Sequence, residues 1–148
     1  MIFGGPHYNK MIFQLLHEKL GIHWSEDFRG IMCMSDAKVT QPLEQEHVAA
    51  AIGYNSFIGR VCCMHSYIPK PFEMSREFII ECFHYPFEVC NVVEILGTVD
   101  NSNEAAKKLN YRLGFTDRTV IKNGAFNSDL IIMGLRKEDS KWLNKRRR

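Results

Sequence analysis

The stretch from Val92 to Phe115 constrains this chain most. Val92–Val99 is apolar and rich in β-branched residues, which reads as a strand. Asp100, Asn101 and Ser102 follow, with side chains able to cap a helix. In that helix Ala105, Ala106, Leu109 and Leu113 recur at helical spacing, and Gly114 stands where a helix stops. A strand leading into an amphipathic helix must bury one face of each against a further layer. That layer is a sheet, because other strand-like runs flank this unit, so the fold is α/β or α+β around a central sheet.

The rest of the chain fits this frame. Asn9 is placed to cap a helix through Leu20, with Ile12, Leu15, Leu16 and Lys19 on one side and Gly21 as its stop. Residues 22–45 give no clear pattern. His47–Tyr54 and Phe57–Ile68 read as strands joined by a turn at Asn55-Ser56. Pro69, Lys70 and Pro71 end that ladder, because proline has no N–H to donate. Ser75 is placed to cap a helix through Tyr85, with Phe78, Ile79, Cys82 and Phe83 as its apolar stripe. Pro86 ends or kinks it. Arg118–Lys122 and Asp129–Leu135 are strands around the turn dipeptide Asn123-Gly124. We expect one domain of 148 residues: an N-terminal helical region over 1–45, a core over 46–135 and a basic tail over 136–148.

Composition excludes several classes. Apolar residues make up 45% and charged residues 24%, a globular balance. No apolar run is long enough for a membrane span, and Met1–Pro6 lacks the basic start and apolar stretch of a signal peptide. A cytoplasmic protein is expected. The five cysteines, Cys33, Cys62, Cys63, Cys82 and Cys90, include no Cys-x-x-Cys pair. An odd number with no such spacing suggests buried apolar thiols, and no metal site. The net charge of +2 is uneven: seven of the 19 Lys and Arg lie in residues 136–148, against two of the 17 acids. Lys145–Arg148 is a weak nucleic-acid signal, because no aromatic is interleaved with the charges.

Residues 103–115 read Asn103-Glu104-Ala105-Ala106-Lys107-Lys108-Leu109-Asn110-Tyr111-Arg112-Leu113-Gly114-Phe115. This resembles the second cofactor motif of the GNAT superfamily of N-acetyltransferases, Asn-x-x-Ala-x-x-Leu-Tyr-x-x-Leu-Gly-Phe after a strand. Asn103, Ala106, Leu109, Leu113, Gly114 and Phe115 fall in register. Phe83-His84-Tyr85-Pro86-Phe87, and Met133–Glu138 with Trp142-Leu143, are similar to stretches of small bacteriophage-encoded members. The matches span about residues 47–143.

The resemblance implies a mixed, mostly antiparallel sheet flanked by helices. It implies that the sheet splays between the Phe57–Ile68 and Val92–Val99 strands to hold acetyl-CoA as cosubstrate. The pantetheine arm would bond backbone groups near Ser66, Tyr67 and Ile68, with Asn103, Ala106 and Asn110 on the facing helix. The pyrophosphate would sit at the start of the Ser75 helix. An amine acceptor needs a base, for which His65, Tyr67 and Glu94 are candidates. In the family, pairing of sheet edges makes homodimers common, so a monomer or a homodimer is expected.

Two positions depart from the family pattern. Its glycine-rich pyrophosphate loop is missing, since no glycine occurs from Val61 to Leu96 and two prolines remove donors. Lys70 and Arg76 are the cations nearest that segment and the expected substitutes. The tyrosine that often acts as acid toward the leaving thiolate is replaced by Asn110, and Tyr111 lies about 100° further round a helix. The alternative to an enzyme is therefore a GNAT-like protein of weak or no activity that binds and modulates a host protein.

Overall fold

The computed structural model describes residues 1–143, so the basic run Lys145–Arg148 lies outside the described residues. Seven strands form one sheet: β1 (Ile2–Gly4), β2 (Arg29–Cys33), β3 (Ala50–Ile58), β4 (Val61–Tyr67), β5 (Glu94–Asp100), β6 (Thr116–Ile121) and β7 (Leu130–Arg136). Their order is β1-β2-β3-β4-β5-β7-β6. All neighbours are antiparallel except β4 and β5. Three α-helices flank the sheet: α1 (Pro6–Leu20), α2 (Arg76–His84) and α3 (Glu104–Leu113). The mixed, mostly antiparallel sheet is as expected.

Both faces of the sheet are buried, which the alternation along its central strands makes possible. Ile31, Ile52 and Tyr54 join Phe78, Phe83, Phe87 and Ile95 in one core cluster. Met32 and Ala51, the intervening residues, join Ile12, Leu15, Leu16 and Phe28 in the other. Gly30 and Gly53 are cross-strand partners beneath α1. A Cβ on Gly53 would lie 2.6 Å from Leu16 Cδ1 and from Phe28 Cε2, so the missing side chain lets α1 lie close on the sheet.

Several boundaries differ from the sequence reading. Helix α1 begins at Pro6, whose missing N–H costs nothing in the first turn. Asn9 does not cap it; its Oδ1 accepts from the Gly30 N–H at 3.0 Å and fixes α1 to β2. The first 45 residues are not simply helical, since β1 and β2 lie there beside α1. The hairpin turns at Gly59, with φ of 57°, rather than at Asn55-Ser56. Those two residues begin a bulge in β3, where Asp27 Oδ2 accepts from the Phe57 N–H at 2.9 Å. Ser75 caps α2 as expected, its Oγ accepting from the Phe78 N–H at 3.1 Å.

Pro86 does not end the chain's helical path. Tyr85–Val89 form a wider π-helical turn, in which Cys90 N–H donates to Tyr85 O at 3.0 Å. Proline has no N–H for the carbonyl of Cys82 four residues earlier. Tyr54 Oη supplies that donor instead, at 2.6 Å, and is fully buried in doing so.

Candidate functional site

The parallel pairing of β4 with β5 covers Val61↔Glu94, Cys62↔Ile95 and Cys63↔Leu96, then stops. Beyond this point β4 stays paired with β3 as far as Tyr67, and β5 stays paired with β7 as far as Asp100. The two outer ladders hold while the inner edges separate. The backbone of Met64–Tyr67 therefore presents an edge with no strand partner on the β5 side. The separation opens a cleft of about 870 Å³. Its walls are Met64, His65, Ser66 and Ile68 from β4 and its exit, Gly97, Thr98 and Val99 from β5, and one face of α3. Leu20–Ile22 at the end of α1 close one side.

Helix α3 is built to face this space. Asn103 Oδ1 caps it by accepting from the Ala106 N–H at 3.1 Å, and Gly114 leaves it at φ 109°. Asp100, expected among the caps, instead takes bonds from Ser102 N–H and Oγ and from Ser128 Oγ. These bonds, Ser102's first, hold its carboxyl down at about 2 and tie the end of β5 to the loop before β7. The stripe expected to be buried is only partly so: Ala106 and Leu113 are half-buried against the core, Leu109 is half-buried and Ala105 is exposed. All four line the cleft. An apolar helix face turned to an opening is the signature of a surface that covers a ligand.

Among the residues singled out from the sequence, the structure brings His65, Ser66, Ile68, Asn103, Ala106 and Asn110 to this cleft. His65 Nε2 lies 2.8 Å from Asn55 Oδ1. An amide oxygen only accepts, so Nε2 carries the proton and Nδ1 is left as the basic nitrogen. Burial lowers the His65 pKa below its ordinary value, which keeps the ring neutral. Asn110 Nδ2 donates to Met133 Sδ at 3.6 Å, a soft contact beside the cleft.

The other candidates lie elsewhere. Glu94 sits at the closed end of the β4–β5 pair, where Arg118 Nη2 at 3.2 Å and Arg136 Nη1 at 3.6 Å neutralise its carboxylate. Tyr67 packs on the α1 side of the sheet, with Lys19 Nζ 5.9 Å from its ring centre. The Lys70 ammonium donates to the Glu46 carbonyl. Ser75 already spends its Oγ on its own helix, and Arg76 beside it is exposed; neither lines the cleft. Tyr111 is 45% exposed and donates to Asp117 Oδ1 at 2.9 Å, so it does not replace the absent acid.

Sequence reasoning missed Lys108 and Arg112, which line the cleft from α3, and Gly97 and Thr98, which line it from β5. A like-charge pair four apart on a helix was the available signal for the first two. Gly97 gave none, because only the end of the β4–β5 pairing places it at an opening.

No protein-family model and no curated protein matches the sequence. Solved structures do match the fold. A dodecameric spermidine N-acetyltransferase from Vibrio cholerae superposes with a TM-score of 0.68 over 98% of this chain and 96% of its own, at 16% identity. A GNAT-family acetyltransferase from Streptococcus pneumoniae gives 0.63 over 92% and 98%, at 12% identity. The chain therefore has the GNAT acetyltransferase fold. No described helix is long and apolar enough to cross a membrane.

Proposed function

We propose that this protein is an N-acetyltransferase that moves an acetyl group from acetyl-CoA to an amine. The observation that carries the reading is the end of β4–β5 pairing at Cys63↔Leu96, facing the Asn103-capped helix. The open edge of β4 supplies unpaired backbone groups for the amides of a pantetheine arm. Ala106 and Leu109 cover that arm from the other side. Acetyl-CoA brings an activated thioester, and the protein holds it and manages protons. Backbone N–H groups at Ser66–Ile68 are the donors placed to polarise a carbonyl. His65 Nδ1 takes the proton of the incoming ammonium. The thiolate leaves without a strong acid, since Asn110 offers only a weak amide donor.

The described residues lining the cleft include no Asp or Glu, which suits a cosubstrate that carries phosphates. Assembly is as a monomer or as a homodimer through sheet edges, of which β6 is exposed along its whole length. The resemblance of Phe83–Phe87 to stretches of bacteriophage-encoded members supports, on this reading, action in a host cytosol.

A thiol-release assay with acetyl-CoA and a panel of amines tests the reading. Turnover with at least one amine supports it. CoA binding without thiol release would instead favour a modulator of a host protein, the reading that Asn110 and the two prolines support.

A further inference from the structure

We infer that the phosphates of the cosubstrate are held by Lys108 and Arg112 on α3, and not by the segment between β4 and α2. This rests on the acetyl-CoA reading above. The β4–α2 segment is poorly equipped for a polyanion. Pro69 and Pro71 donate nothing, Ser75 Oγ already takes the Phe78 N–H, and the Lys70 ammonium is held by the Glu46 carbonyl.

Lys108 and Arg112 are the Lys and Arg side chains on the cleft wall. Neither makes an ion pair among the described residues. Some cations elsewhere are neutralised, among them Lys38 by Glu73, Lys107 by Glu104, Arg118 by Glu94 and Lys137 by Glu88. The two stand four residues apart on a helix, where like charges repel and weaken it. Their side chains share one face, so a diphosphate or an adenosine 3′-phosphate could take bonds from both, the guanidinium in bidentate fashion. With no carboxylate on the same wall, the cleft is selective for an anion at the end where these two residues lie.

The test is calorimetric titration of the full chain with CoA, adenosine 3′,5′-bisphosphate and pantetheine, in wild type, Lys108→Gln/Arg112→Gln and Lys70→Gln/Arg76→Gln. The α3 pair of substitutions should weaken CoA and the bisphosphate by about tenfold or more and leave pantetheine unchanged. The β4–α2 pair should change none of them. The α3 variant should melt no lower than wild type without ligand, because a repulsion has been removed. Wild-type CoA affinity in the α3 variant, or loss in the β4–α2 variant, overturns the inference and leaves the acetyltransferase reading standing. Bisphosphate binding that needs Lys108 and Arg112, in a protein that releases no thiol, upholds the inference and removes that reading. Failure of wild type to bind CoA or the bisphosphate overturns both.

Discussion

Two side chains show how single atoms set stability and chemistry here. Tyr54 Oη replaces a donor that Pro86 cannot give to the Cys82 carbonyl. Tyr54→Phe leaves that buried carbonyl unpaired and should cost about 1–3 kcal/mol in urea unfolding. An unchanged midpoint would show that the bond contributes nothing. His65 is the base of the proposed reaction, and burial lowers its pKa. The acid limb of kcat/KM should therefore lie below the ordinary histidine value. Asn55→Asp places a negative charge 2.8 Å from Nε2 in place of a neutral oxygen and favours the imidazolium. The acid limb should move to higher pH, and identical profiles in the two proteins would remove His65 from the reaction. Asn103 and Ala106 were legible only through the family resemblance, since the local pattern places the cap at Asp100–Ser102. Glu94 was not, because its partners Arg118 and Arg136 arrive from strands distant in sequence.

At the scale of elements, most helices and strands could be read from period and caps, and the misreadings share a cause. Asn9 and Asp100 are both good capping residues by type. Asn9 found a tertiary partner in Gly30, and Asp100 took Ser102 two residues on together with the distant Ser128. The α3 stripe looked like core because periodicity reports apolarity and says nothing of what covers it. The Asp100 cluster gives a pH test of the β5 end. Its carboxyl titrates at about 2 in the folded state, below the unfolded value, so the stability it contributes is present above roughly pH 4. That contribution is lost as pH falls toward 2. Asp100→Asn should lower the melting temperature at neutral pH, and the gap to wild type should close at about pH 2. A gap independent of pH would mean that the carboxylate charge is not what holds the loop.

The whole molecule is defined by one break in an otherwise continuous sheet. The apolar pattern made the sheet and its flanking helices legible. The break followed only from resemblance, since nothing in the strand sequences themselves says where β4 and β5 part. The parting gives Gly97 its meaning: a Cβ there would sit 3.8 Å from Met64 O, in ordinary contact, so a larger side chain would grow into the opening without disturbing the fold. The most direct measurement is titration of wild type and Gly97→Leu with acetyl-CoA. Micromolar binding by wild type, at least tenfold weaker in Gly97→Leu at an unchanged melting temperature, is expected. No binding by wild type at millimolar acetyl-CoA, or equal binding by both proteins, would contradict the claim that the gap between β4 and β5 is a cofactor cleft.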